Sequence, residues 1–247
     1  MRATAIEFRL RTAINATIIV LGFWSPWIGI WGVGRRISLL EWLALELSRT
    51  GGIAFTAATA VTIVVAALLA AAAAIFRLWG TAYLGPGVVQ SAQMKAGAVM
   101  ADGPYRHVRN PLYLGVWFMV AAMSFIMPPT GALFTMALLT VFLLRLILGE
   151  EAFLSAQLGE PYRAYLQAVP RLFPRLRTNL PPAGGTPQWA KSVIAELNPI
   201  GVFLIVAILS WSYDTQLMLR AILISFGISL VARAVVSGIK GESSPAQ

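Results

Sequence analysis

Residues 110–144 read NPLYLGVWFMVAAMSFIMPPTGALFTMALLTVFLL, and this stretch of 35 residues contains no charged side chain. A transmembrane helix needs roughly 20 mostly apolar residues, so the stretch is long enough to supply most of two such helices. Pro128 to Gly131 interrupts it with residues typical of a tight turn. The sequence therefore predicts a helical hairpin in a membrane, with one span from Pro111 to Met127 and the next from Ala132 to Leu148.

Three further charge-free stretches, of 23, 27 and 17 residues, have the same character: 12–34, 50–76 and 197–213. Of the whole chain, 58% is hydrophobic and 12% is charged, about half the charged share of a soluble domain. We therefore predict an all-α integral membrane protein with about six spans. Besides the hairpin, which forms spans three and four, the predicted spans are a retained first span from about Ala13, then Ile53–Trp79, Leu197–Tyr213 and Leu217–Val236.

The net charge of +9 raises the possibility of nucleic-acid binding. However, the basic residues cluster at the ends of the apolar stretches, where they set topology or contact anionic lipid, and there is no separate hydrophilic domain. We expect membrane lipids as partners and no nucleic acid. The chain has no Cys and a single His, His107, which predicts that it has no metal site.

The distribution of Lys and Arg predicts the orientation. With six spans, 15 of the 19 basic residues fall on the side that carries both termini, and only Arg35, Arg36, Arg49 and Arg220 fall on the other side. The positive-inside rule then places both termini in the cytoplasm. The Ala-rich, Cys-free composition suggests a bacterial inner membrane.

Three segments outside the spans have their own pattern. Residues 39–47 suggest a short interfacial helix, and 150–168 repeat apolar residues at helical spacing, which predicts an amphipathic helix at the membrane surface. Residues 170–188 contain five prolines and predict a linker or an ordered loop.

The connection before span three carries the first group of candidate functional residues. Asn110 followed by Pro111 is a typical helix start, with Asn as the N-cap and Pro in the first turn. The helix N-terminus, with Arg106 and Arg109 nearby, suits a carboxylate or a phosphate.

Glu150 and Glu151 end span four and should lie at a similar depth on the same side. Two carboxylates there can accept hydrogen bonds from a ribose diol or pair with an ammonium group. The competing interpretation is structural, because arginines at span ends commonly extend toward the interface and Glu pairs form solvated ion pairs.

The segments GPYRHVRNPLYLG at 103–115 and EEAFLSAQLGEPYRAYLQAVPRLFP at 150–174 resemble the isoprenylcysteine carboxyl methyltransferase family, and more loosely the phospholipid N-methyltransferases. The resemblance covers about 70 residues and implies an integral-membrane methyltransferase that uses S-adenosylmethionine. The positions that it implies for the cofactor site are Tyr105, Arg109, Asn110, Pro111, Tyr113, Glu150 and Glu151.

Two positions depart from the family pattern. Many members have His where this chain has Asn110. Eukaryotic members carry an acidic residue together with an Arg near the end of the preceding span, whereas here Arg77 is present but residues 63–76 contain no acid.

Arg77 and Arg145 are the candidate catalytic residues. A carboxylate acceptor is ionised at pH 7 and needs orientation by an Arg rather than a general base. An amine acceptor would need a base, and His107 is a candidate.

The expected organisation has three parts. Residues 1–96 hold spans one and two with the interfacial helix, 97–178 form a methyltransferase-like cofactor-binding core, and 179–247 hold the linker and spans five and six. The most favoured acceptor is a lipophilic carboxylate of the isoprenylcysteine type. Alternatives are a phospholipid or small-molecule N- or S-methyltransferase, and a non-enzymatic membrane transporter or binding protein.

The predicted topology can be tested with single cysteines, because the chain contains none. A cysteine at Pro129 should react with an impermeant thiol reagent added outside intact cells. A cysteine at Gly184 should react only after the membrane is opened. The reverse pattern would contradict the predicted orientation.

Overall fold

The computed structural model describes residues 2–24, 37–89, 91, 94 and 101–242, with the backbone alone for 237–242. Within these residues every regular element is a helix, as the sequence predicts. The α-helices are α1 Ala5–Arg9, α2 Arg11–Phe23, α3 Leu39–Gly51, α4 Phe55–Leu84, α5 Pro86–Val89, α6 Pro111–Ser124, α7 Pro129–Leu158, α8 Glu160–Ala168, α9 Trp189–Ala195, α10 Leu197–Leu209 and α11 Thr215–Glu242. Two 3-10 turns, Gly103–Arg106 and Ser210–Ser212, complete them.

Among the described residues, three helices are long and apolar enough to cross a membrane: α4, α7 and the 215–236 part of α11. A fourth crossing arises if α9 and α10, bent by 68° at their junction, count as one broken span. Helices α2 and α6 are apolar but have only 13 and 14 residues, fewer than the roughly 20 that a full crossing needs. The integral-membrane fold is confirmed, and six spans remain a prediction. Much of predicted span one, residues 25–34, lies outside the described residues.

Helix α4 packs against α3, α6 and α10 and forms the centre of the fold. Its inward face is built of small residues, including the fully buried Ala58, Ala70 and Ala73, while Leu68 and Ile75 are exposed on the other face. Small side chains allow helix backbones to approach closely where lipid offers no hydrophobic driving force. The Ala-rich sequence of this span therefore explains its central position.

The predicted hairpin is present, but its second helix is longer than expected. Helix α6 ends at Ser124, and α7 begins at Pro129 and continues to Leu158, ten residues beyond the predicted end. The predicted amphipathic helix is consequently split in two. Gly159 has a φ of +62°, a conformation that favours glycine, and it separates α7 from the short surface helix α8.

The N-terminal segment docks at the end of α7 that carries Glu150. The amide of Ala3 donates to the carbonyl of Arg145 at 3.0 Å, and Thr4 caps α1 through a reciprocal capping box with Glu7. Late in α11, Arg233 donates a hydrogen bond to the carbonyl of Ala195, at the bend between α9 and α10. Both ends of the described chain therefore approach the same end of the bundle.

Gly115 tests how closely α4 and α6 must pack. A Cβ at Gly115 would lie 2.6 Å from Cγ of Arg77 and 3.2 Å from the carbonyl oxygen of Ala73. Gly115→Ala should therefore lower the free energy of unfolding by roughly 1–3 kcal/mol, the usual range for overpacking. Thermal unfolding in detergent measures this loss.

Gly51 provides the matched control, because a Cβ there would meet nothing within 4 Å. Gly51→Ala should leave stability unchanged or raise it slightly through helix propensity. Equal stability of the two variants would contradict the close packing at Gly115.

Candidate active site

Residues 102–109, which precede α6, pack against the proline-rich segment. The buried carboxylate of Asp102 accepts hydrogen bonds from the amides of Ala183 and Gly185 at 2.8 and 2.7 Å. Two backbone hydrogen bonds add to this contact. The amide of Arg109 donates to the carbonyl of Pro170, and the amide of Arg175 donates to the carbonyl of His107. Residues 170–188 are therefore an ordered loop rather than a free linker.

Asn110 occupies the predicted position before α6 but does not cap the helix with its side chain. Its amide group instead donates to Oε1 of Glu151 at 3.3 Å and to the carbonyl of Arg171 at 3.2 Å. The side-chain cap predicted from the Asn-Pro pair is therefore wrong, because the side chain is held through its Nδ2 group by Glu151 and Arg171 and its oxygen accepts no bond from the helix. The first amides of α6 receive no acceptor from Asn110.

Glu151 is 6% exposed, and its carboxylate is the shared partner of Asn110 and of two arginines. Arg171 donates to both of its carboxylate oxygens, at 2.8–3.2 Å, and Arg109 forms a longer ion pair with it at 3.5 Å. The hydrogen bond from Arg171 to Glu151 raises the pKa of the guanidinium. Sequence reasoning missed Arg171, although it directly follows the Val169-Pro170 pair of the family motif.

Glu150 lies in a different environment from its neighbour. It accepts a hydrogen bond from the hydroxyl of Tyr113 at 2.8 Å, and it forms no ion pair with any other described residue. The two carboxylates predicted to act together are therefore separated: Glu151 is neutralised by arginine, whereas Glu150 keeps a carboxylate available for a cation.

Tyr105 is buried beneath the site. Its hydroxyl points to the carbonyl of Gly80 at 3.4 Å, and its own carbonyl accepts a hydrogen bond from Tyr165 at 2.8 Å. Burial raises the pKa of Tyr105 well above its usual value, and the nearby Glu150 raises it further. Tyr105 therefore stays neutral and provides packing and orientation.

Arg77 has an acidic partner that the sequence did not reveal. Its Nε and Nη2 donate to the two carboxylate oxygens of Glu196 at 2.8 and 2.7 Å, and Thr81 donates to the same carboxylate at 2.5 Å. Glu196 is 1% exposed and lies at the junction of α9 and α10. The acid missing from residues 63–76 is thus supplied by a distant segment. The sequence did carry one sign of this partner, since Glu196 is the single acidic residue between Glu160 and Asp214.

Arg145 is engaged away from this pair. Its Nη2 donates to both oxygens of Glu7 at 2.8 and 3.0 Å, which attaches α1 to α7. Hydrogen bonding from Thr4 and Arg145 lowers the pKa of Glu7. Arg77 and Arg145, the two candidate catalytic residues, therefore both form ion pairs and do not contact each other.

A cavity of about 460 Å³ lies between α6, α7, Phe76 of α4 and residues 172–174. Its walls are almost entirely apolar, and its polar groups come from Tyr113 and Thr140. Leu144, which is exposed on the outer surface of α7, lines one side. Tyr113, whose hydroxyl bonds to Glu150, therefore connects the cavity wall to that carboxylate. The described residues contain no group of three acidic, His or Cys side chains that could hold a metal ion.

Residues 57–160 match the phospholipid methyltransferase family. The match covers 104 of the 247 residues, from α4 to the start of α8. It includes every predicted site residue but neither Arg171 nor Glu196. No curated protein and no solved structure matches the chain. The match confirms the predicted resemblance over residues 57–160, because this methyltransferase family includes the isoprenylcysteine carboxyl methyltransferases.

Proposed function

We propose that the protein is an integral-membrane methyltransferase that uses S-adenosylmethionine to methylate the carboxylate of a lipophilic acceptor of the isoprenylcysteine type. The observation that carries this proposal is the position of Glu150. Its carboxylate lies inside the family segment and bonds to Tyr113, which lines the apolar cavity. A cationic cofactor and a lipophilic acceptor can therefore meet at one place.

The residues around Glu150 fit the proposed cofactor. When bound, S-adenosylmethionine supplies a sulfonium methyl group for displacement. Glu150 can accept hydrogen bonds from an ammonium or ribose group, and Tyr113 holds its carboxylate in place. The first amides of α6, which Asn110 does not cap, can bind a carboxylate. Arg109, Asn110 and Pro111 position this helix start, and Tyr105 supports it from below.

The cavity fits the lipophilic part of the acceptor. Its volume lies within the range of about 300–1,000 Å³ that is typical of small-molecule sites. The exposed Leu144 on its wall gives it a border with the lipid-facing surface of α7. An acceptor can therefore enter from the bilayer without exposing its chain to water.

Arg77 is the proposed residue for orienting the acceptor carboxylate. The bidentate pair with Glu196 fixes the guanidinium plane, and Nη1 takes part in neither of its two bonds. Phe76, the preceding residue, lines the cavity, and the side chain of Arg77 passes over Gly115 of α6. An ionised carboxylate held there needs no general base. Arg145 is the weaker candidate, because Glu7 occupies it.

Methylation of a phospholipid amine is the second candidate, favoured by the description of the family. An amine must lose a proton before or during transfer. His107 Nδ1 lies 2.7 Å from the carbonyl oxygen of Arg175, which can only accept, so Nδ1 carries a proton and Nε2 is the nitrogen with the lone pair in the neutral ring. His107 is therefore the base that this alternative would use. We further propose that the site faces the cytoplasm, in a bacterial inner membrane with both termini inside.

Replacing the two neighbouring glutamates separately tests the cofactor site. Glu150→Gln should weaken S-adenosylmethionine binding by roughly 10-fold or more while the melting temperature stays close to that of the wild type, because a charge-assisted hydrogen bond contributes about 1.5–3 kcal/mol. Glu151→Gln should instead lower stability by roughly 3 kcal/mol, because the charge of Arg109, whose side chain is only 11% exposed, loses its acidic partner. Calorimetric titration and thermal unfolding in detergent provide the two readouts.

Glu160→Gln is the matched control for both variants, since this carboxylate is exposed and pairs only weakly with Arg163 at 3.7 Å. Glu160→Gln should change neither the cofactor affinity nor the melting temperature. Cofactor affinity that is unaltered in a folded Glu150→Gln variant would contradict the proposed site.

Arg77→Lys tests the orienting role without leaving Glu196 unpaired. A point charge does not reproduce the planar fork of arginine, so turnover should fall by roughly 10²-fold while cofactor affinity is unchanged. The measurement is kcat together with the cofactor dissociation constant, and Arg49→Lys, on an exposed helix end, is the control. If Arg77→Lys turns over normally and Arg145→Lys does not, the orienting role belongs to Arg145.

A further inference from the structure

Two large apolar side chains are almost fully exposed on the ordered proline-rich loop. Phe173 is 86% exposed and Leu176 is 95% exposed, although neither lies on a helix that crosses the membrane. The same segment, residues 171–177, contains three arginines and is named here the basic loop. Exposed apolar residues next to basic residues are typical of surfaces that bind at the membrane interface.

The charge around the basic loop has one sign. Residues 161–195 contain no Asp or Glu, and they carry Arg163, Arg171, Arg175, Arg177 and Lys191. Glu151 neutralises Arg171. Arg175 and Arg177 are exposed and form no ion pair with any described residue, and the guanidinium of Arg175 donates to the neutral carbonyl of Ala168 at 3.3 Å. Their charges are therefore not neutralised by an acid and can attract an anionic surface.

The position of the basic loop fits the boundary of the bilayer. Leu172, Phe173 and Pro174 line the same cavity as Leu144 and Ile147 of α7. Leu144 is exposed in the last apolar turns of this spanning helix, just before the charged pair at 150 and 151. The loop therefore lies at the level where the apolar part of α7 ends.

The basic loop is also held in a fixed conformation. Pro170, the residue just before the loop, accepts a hydrogen bond from the amide of Arg109. Within the loop, the amide of Arg175 donates to the carbonyl of His107. The Arg171–Glu151 ion pair adds a side-chain anchor. Little ordering entropy is then lost when the exposed side chains bind a partner.

We propose that the basic loop is a binding surface for anionic phospholipid. Phe173 and Leu176 insert below the headgroups, and Arg175 and Arg177 bind the phosphate groups. The lipid-bound loop forms the edge of the cavity on the bilayer side. The proposal does not depend on which acceptor is methylated.

A single spin label tests the depth of the basic loop, since the chain has no native cysteine. Leu176→Cys removes an exposed side chain and should leave the fold intact. In vesicles of phosphatidylcholine with phosphatidylglycerol, the label should be more accessible to oxygen than to a water-soluble nickel chelate. Ala183→Cys, exposed in the same ordered segment, is the matched control and should show the opposite preference.

Lipid specificity is tested in the full-length chain with Arg175→Gln and Arg177→Gln together. Each basic residue near an anionic surface contributes about 1 kcal/mol, which corresponds to roughly fivefold in binding. In the double variant, the preference for spin-labelled phosphatidylglycerol over phosphatidylcholine should therefore fall by at least fivefold and by up to about 25-fold.

A label at residue 176 that is as accessible to the nickel chelate as the label at 183 would overturn the proposal and would favour a soluble partner for this surface. If the label at 176 is accessible to oxygen but the double variant keeps the lipid preference of the wild type, the claim that the two arginines select anionic lipid would be overturned.

Discussion

The ion pair between the buried Glu151 and Arg171 joins three parts of the chain: the end of α7, the start of α6 through Asn110, and the proline-rich loop. The carboxylate of Glu151 is buried, so removing its arginine partners would leave an uncompensated charge, and this contact constrains where the loop can lie. Successive residues on a helix differ in direction by about 100°. Glu150 therefore points elsewhere and bonds to Tyr113, which lines the cavity, and the structural use of Glu151 leaves Glu150 for chemistry.

Local features could be predicted from the sequence because they depend on neighbours in the chain. The charge-free stretches predicted the apolar helices, Asn110-Pro111 predicted the start of α6, and the turn near Pro128 predicted the hairpin. The helix boundaries were less accurate. Glutamate and leucine favour helix, so α7 continues past the predicted membrane boundary until Gly159 ends it.

The partners of the charged residues could not be predicted, because they come from distant segments. Arg77 pairs with Glu196, 119 residues away, and Arg145 pairs with Glu7, 138 residues away. No acidic residue lies near Arg77 in the sequence, but the bend between α9 and α10 places Glu196 beside it. The role of Asn110 was missed for the same reason, since the carboxylate that attracts its amide lies 41 residues further on.

The proposed reaction methylates a lipophilic carboxylate beside Glu150. It can be measured as transfer of a labelled methyl group from S-adenosylmethionine to a prenylated cysteine analogue by the purified chain in vesicles. We expect solvent-extractable label that mild base releases as methanol, because a methyl ester is cleaved by base. The proposed reaction would be contradicted if the extractable label never exceeded that of protein-free vesicles, or if all of it were stable to base and attached to an aminophospholipid.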